Sequence, residues 1–402
     1  MAKKARQYRI VALRIGIASA CLGGAWFSWS LARAESFFQQ PNEQSLRSAI
    51  QLEPDASDYY IRLAQIDNSQ AETLLQTALR LNPYNAQAAI QLGLNFEAEG
   101  DYPRAEKSLL QAFEVDRTYL PRWSLANFYL RRNNLPAFWS WAHRAAEMPA
   151  EDIGSLFELC WRVSPDPEQI TKMVANNNPQ VLRQYLRFLL EKNQLTAASA
   201  TAQRLAASGA QEEDRPLLLS VVDQLIETDN ATAASAVWRD LIAQHWVVAE
   251  TSEPNNHDFA RDPLPVNLDW TIPSYTGLHS WPGPAGLKTE FTGEEPESCK
   301  IAEQTIILSR GSYSMAYAYR TSNIPAGTGI RWQIIEGKAG KTIAESTDLS
   351  SESGKDGAIT FSVPRDGTIL TLRLLYQRPL GVTRISGTLV ITSTGIKVNR
   401  SV

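Results

Sequence analysis

The chain has 402 residues, 44% apolar and 20% charged, with a formal net charge of −4. These proportions suit globular domains with real cores, and the length allows two or three of them. A slightly acidic balance with no basic block beyond the N-terminus excludes general nucleic-acid binding, and three widely separated cysteines (Cys21, Cys160, Cys299) exclude a disulfide framework and a metal-ligand spacing.

Lys3, Lys4, Arg6, Arg9 and Arg14 all precede the first acidic residue, Glu35. Between Arg14 and Arg33 runs IGIASACLGGAWFSWSLA, without a charge. At about 1.5 Å per residue this run nearly crosses a bilayer core, and Trp26 and Trp29 sit where an aromatic belt would lie. The expectation is a cytoplasmic basic stub and an uncleaved transmembrane helix over 1–34. The chain is then single-pass in a bacterial inner membrane, with its bulk in the periplasm. Two alternatives stand beside it: a signal peptide cleaved at Ala32-Arg33-Ala34, and a lipoprotein modified at Cys21.

Helical patterns fill 42–248. Ala71, Leu75, Ala78 and Leu81 recur as Ala105, Leu109, Ala112 and Val115, each shifted by 34 residues. Within 86–117, Leu92-Gly93, Phe96, Gly100-Asp101-Tyr102, Ala105, Leu109 and Ala112 follow one helix–turn–helix pattern. This pattern resembles the tetratricopeptide repeat, most clearly over 57–147. The preceding unit departs by a shortened first helix. The following one carries Asn133-Asn134 for Gly-Asp and Trp139 for a small residue. The resemblance implies an α-solenoid of stacked helix pairs whose first helices line a concave groove. In that register the groove residues are Gln87, Ile90, Leu94, Glu97, Ser124, Phe128, Arg131 and Arg132. The apolar members and the adjacent arginines suit a peptide or acidic segment of a partner protein. A strongly curved superhelix that buries the apolar members itself is the competing reading.

From 151 to 245 the helical period persists without the motif. The Pro- and Asn-rich stretch over 249–262 reads as a linker. From 263 to 402 strands dominate: LKTEF, AEQTIIL, SYSMAYAYR, IRWQIIE, TIAES, AITFSV, TILTLRLLY and RISGTLVIT. They predict an antiparallel β-sandwich. Phe259, Asp269-Trp270, Gly311-x-Tyr313, Trp332 and Val363-Pro364 follow an order that resembles the jelly-roll folds of carbohydrate-binding modules. The fold class is therefore multidomain α and β. Alternation in SYSMAYAYR and around Trp332 reads as core, which leaves Arg320, Arg331, Gln333 and Arg373 as candidate glycan-binding residues on the opposite face.

No motif supplies a nucleophile, a phosphate loop or a metal site. His143, His245, His257 and His279 are scattered, and Glu290, Glu294, Glu295 and Glu297 read as a solvated acidic loop. No catalysis and no cofactor is expected. The leading expectation is a non-catalytic periplasmic scaffold for protein–protein interaction in envelope or exopolysaccharide assembly or export. A glycan-binding accessory protein acting through the sandwich is the alternative.

Overall fold

The structure is a computed structural model that describes residues 2–40, 42–148, 152–248, 253–337, 340–351 and 356–399. Side chains are described at Arg14 and from Gly16 onward, so the basic flank Lys3, Lys4, Arg6 and Arg9 lies outside them. The chain divides into two compact units, Met1–Ala175 and Asn176–Val402.

The first unit is helical. It comprises α1 (Ala2–Phe38), α2 (Glu43–Leu52), α3 (Ser57–Ile66), α4 (Ala71–Leu81), α5 (Ala86–Ala98), α6 (Tyr102–Val115), α7 (Tyr119–Arg131), α8 (Leu135–Ala146), α9 (Gly154–Val163) and α10 (Pro167–Ile170). Helix starts are set by side-chain caps. Asn85 accepts the Ala88 N–H, Asp101 that of Arg104 and Asn134 that of Ala137. Small residues let paired helices close: Ala78, Ala88, Ala105 and Ala112 are fully buried, and a Cβ at Gly93 would lie 2.8 Å from Leu109 Cγ. Trp139 is buried despite its size and packs on Phe138 at 4.9 Å.

For helix α1 the expected membrane span is not shown. Among the described residues no helix is long and apolar enough to cross a membrane. The apolar run behind the expectation takes in Ile15 and the residues before Arg14, whose side chains lie outside those described. The helix also extends beyond the expected span. Its last turns bury Ala34 against Ala49 and Tyr59, with the Phe38 ring tilted against Tyr59 at 4.8 Å.

The second unit begins with α11 (Pro179–Glu191), α12 (Leu195–Ala207), α13 (Arg215–Glu227) and α14 (Ala231–Ala243). These pairs lack the sequence motif yet keep its turn. The left-handed residue that Gly100 (φ 84°) supplies between α5 and α6 recurs as Asn133 (54°), Asn193 (55°) and Asp229 (59°). Asn and Asp tolerate that region better than other residues with a Cβ, so the turn survives without glycine. Asp214, buried, accepts two N–H groups of Arg183.

Among the described residues nine antiparallel strands follow: β1 (Leu278–Trp281), β2 (Leu287–Thr292), β3 (Ser298–Leu308), β4 (Gly311–Ser322), β5 (Ile330–Glu336), β6 (Lys341–Glu345), β7 (Asp356–Val363), β8 (Thr368–Gln377) and β9 (Ser386–Val398). They form a five-stranded sheet ordered β1-β2-β9-β4-β7 and a four-stranded sheet ordered β3-β8-β5-β6. Tyr313, Met315, Tyr317 and Tyr319 all point into the core, as alternation predicts, and Trp270, Trp332 and Tyr376 fill its centre.

The expected linker is partly sandwich. Phe259 is fully buried and its ring lies tilted against Trp270 at 4.6 Å, while backbone bonds tie Thr394 to His257 and Ile396 to Glu253. Nor does the compact division fall there. The Asn267 N–H donates to Asp223 of α13 at 2.8 Å, and a Cβ at Gly367 would touch that of Ala231, so α13 and α14 touch the sandwich at these two points.

Candidate functional site: the helical-repeat groove

The expected groove residues lie on α5 and α7, and the structure divides them. Gln87 and Leu94 are exposed, Leu94 at 43%. Ile90, Ser124 and Phe128 are buried, Phe128 at 2%, where it meets Tyr129 edge-on at 5.3 Å. For these three the competing reading holds: the array covers its own apolar stripe, and they do not present a docking surface.

The arginines are also engaged. Arg131 makes a two-pronged ion pair with Glu97, at 2.7 and 2.6 Å, between equivalent positions of neighbouring repeats. Arg132 lies 3.4 Å over the ring of Tyr102. Neither guanidinium is therefore a free clamp for a partner carboxylate, because each already has a charge or π-face to satisfy it.

A different set of residues continues the groove. Phe38, Asp58, Ile61, Arg62, Gln65 and Gln87 line a cavity of about 200 Å³ between the end of α1, α3 and α5. Arg62 stacks over Phe38 at 5.0 Å, and Asn85 donates to Asp58 at 3.2 Å. Sequence reasoning missed these because the first helix pair is joined by a shortened turn, through a 3₁₀ segment at Asn68–Gln70. Shifting the register by the distance from Ser57 to Ala86, the starts of α3 and α5, aligns Asp58 with Gln87, Ile61 with Ile90 and Gln65 with Leu94. That shift was available in the sequence once the short turn was allowed for.

Other candidate chemistry is inert or structural. Burial pushes the Cys160 thiol up to about 12 and Cys299 to about 11, which withholds the reactive thiolate. Burial, then the Glu106 carboxylate it donates to, pushes Tyr129 up to about 12. The acidic loop is not solvated throughout. Glu295 is buried, accepting the Gly293 N–H at 3.0 Å and the Tyr376 hydroxyl at 3.3 Å, while Glu297 pairs with Arg378. Among the described residues no group of histidine, cysteine and carboxylate side chains could hold a metal ion.

The four candidate glycan residues do not share a face. Arg331, Gln333 and Arg373 stand on the outside of the four-stranded sheet, with Gln333 opposite Arg373 in register. Arg320 lies on the outside of the other sheet, because β4 crosses to it. Arg373 donates to Glu303 at 3.0 Å and Arg331 to Gln377 at 2.7 Å, so both are held within the fold.

No family model matches the chain, and no curated protein matches it. Among solved structures it is similar to MamA at 21% identity, covering 30% of this chain and 77% of that one, with a TM-score of 0.27. It is similar to PilW, described as a widely conserved type IV pilus biogenesis factor, at 15% identity over 55% and 94% of the two chains, TM-score 0.26. TTC0263, a thermophilic tetratricopeptide-repeat protein of Thermus thermophilus, gives 22% identity over 37% and 95%, TM-score 0.27. At these values the likenesses say nothing of function. The chain's own helix pairs, 34-residue recurrence and recurring left-handed turn make its helical part tetratricopeptide-like.

Proposed function

We propose that the chain is a non-catalytic scaffold that holds an extended segment of a partner protein along the groove of α3 and α5. The carrying observation is the row of exposed positions Asp58, Gln65, Gln87 and Leu94 beside the cavity at Phe38 and Arg62. Amide side chains there suit the backbone of an extended segment, Leu94 suits one apolar side chain, and Asp58 and Arg62 suit a partner of mixed charge. This replaces the acidic segment expected from Arg131 and Arg132.

Membrane anchoring through α1 belongs to the same proposal. Ile17, Leu22, Trp26, Phe27 and Trp29 are all exposed on one helix, an apolar surface of the kind that marks a membrane or partner contact. An uncleaved helix is favoured over a cleaved signal. Ala34, the last residue of the candidate cleavage site, is buried in the last turns of a helix that continues to Phe38 and packs on α2. An inner-membrane, periplasm-facing placement follows from the basic residues before α1's apolar run. Service in envelope or exopolysaccharide assembly is the finest level of the proposal.

The test is a photo-crosslinking side chain placed in cells at Leu94 or Gln87, with Glu114 on α6 as comparison. A discrete adduct at the groove positions and none at Glu114 is expected. Equal labelling at all three, or none in the groove, would remove the groove as the working surface.

A further inference from the structure

Three arginines gather on one aromatic pair where α6, α7 and α8 meet. Phe113, in the last turn of α6, packs edge-on against the buried Trp141 of α8 at 4.9 Å. The Arg117 and Arg122 guanidiniums lie over the Phe113 ring at 5.8 and 5.5 Å, and that of Arg144 lies over Trp141 at 4.6 Å. A π-face attracts a cation but does not neutralise it. Elsewhere the fold sets a carboxylate against its arginines, as Glu97 against Arg131 and Glu303 against Arg373. Here the carboxylates fall short. Among the described residues the Arg144 side chain has no hydrogen-bond or ion-pair partner. Arg117 reaches Glu114 at 3.6 Å, beyond hydrogen-bond distance, with both side chains mostly exposed. Arg122 donates to the Arg144 carbonyl at 2.6 Å, and its Nε is buried without an acceptor.

The other carboxylates nearby are engaged. Glu147 lies 3.4 Å from the His143 ring, and Asp116 accepts the Thr118 N–H and hydroxyl, each at 3.0 Å. Burial holds the Arg122 guanidinium below its ordinary value; Glu147 opposes that shift, while Arg144 and Arg117 deepen it. Like charges therefore repel across the cluster, and a bound anion relieves that repulsion. Phe113 and Trp141 stand at 81° to each other, so the cations over their faces approach from different directions. A carboxylate is planar and suits one guanidinium fork, whereas a tetrahedral phosphate offers oxygens to several donors and carries about two charges. We propose that Arg117, Arg122 and Arg144 bind a phosphate monoester group. The site does not use the groove of α3 and α5 and does not depend on it.

The full-length chain in neutral detergent would be titrated with glycerol 3-phosphate and with phosphatidic acid in mixed micelles. Succinate serves as the dicarboxylate counterpart. A phosphate probe is expected to bind more tightly than succinate, and to weaken as salt rises because the contacts are exposed charges. Glycerol 3-phosphate bound from solution assigns a soluble phosphomonoester, and phosphatidic acid bound alone assigns a lipid headgroup; either supports the proposal. Arg117→Gln with Arg144→Gln should weaken binding about tenfold or more, because each removes a charge-assisted contact. If that double variant melts early, Arg117→Gln decides, since its one ion pair among the described residues is the exposed one with Glu114. Arg80→Gln, which removes a charge on α4, should leave binding unchanged. The proposal is overturned if neither phosphate probe binds, if succinate binds as tightly, if binding survives the arginine variants, or if Arg80→Gln weakens it as much.

Discussion

Asp101 shows how one side chain serves several levels of the fold. It caps α6 by accepting the Arg104 N–H at 3.2 Å, and its other oxygen takes the Arg104 side chain at 2.6 Å. The Arg104 side-chain hydrogen bond, then the backbone one, holds the carboxyl below its ordinary value of 3.8. A depressed acid stabilises the fold fully above its unfolded value and loses that contribution as pH falls through the lower folded value. Thermal melting of the wild type should therefore decline below about pH 4 more steeply than that of Asp101→Asn, which caps without ionising. Parallel melting curves of the two across that range would show that the pair is idle. The same residue-by-residue view explains the groove. Arg131 looks like a free cation in the sequence, and only its neighbour one repeat away, Glu97, shows that it is not.

At the scale of elements, close approach decides which positions tolerate change. Gly93 lies inside α5, where alanine normally gains about 1 kcal/mol of helix propensity. Here its Cβ would sit 2.8 Å from Leu109 Cγ and 3.2 Å from the Ala105 carbonyl. Gly93→Ala should therefore destabilise the first unit by about 1–2 kcal/mol in urea unfolding, the reverse of the propensity expectation. Gly329 is more constrained. Its φ is +84°, and a Cβ would lie 1.9 Å from the Gln377 carbonyl where β5 begins beside β8. Gly329→Ala should cost about 3 kcal/mol or more, read as a lowered denaturation midpoint of the sandwich. Eight of the nine strands were legible from alternation and turn residues. The ninth, β1, was not, because four residues in the burial order buried, exposed, half-buried, exposed carry too short a period to read.

At the scale of the whole molecule the compact division lies at Ala175–Asn176, not in the proline-rich stretch near 255. A fragment starting at Asn255 keeps all nine strands but loses Asp223 as acceptor for the Asn267 N–H and Glu253 as acceptor for that of Ile396. It also removes Ile226 and Ala231 from beside the sandwich. The fragment 176–402 should accordingly melt cooperatively and resist protease, whereas 255–402 should melt lower and bind hydrophobic dye. Equal stability of the two would show that the last helices contribute nothing to the sandwich.

By itself the sequence determined the helix pairs over 57–147, the change from helices to strands in the C-terminal part and the inward row of β4, because each is a local period repeated often enough to be unmistakable. It also carried the apolar, positively flanked start of α1. Tertiary structure alone decided what depends on a partner distant in the chain. Phe128 is core and Leu94 is not, although they occupy equivalent positions. Arg320 parts from Arg373 because β4 and β8 belong to different sheets. Arg117, Arg122 and Arg144 meet because α6, α7 and α8 bring Phe113 against Trp141. Periodicity reports which face of an element is apolar; which neighbour covers that face is set by packing between elements, and no local pattern records it.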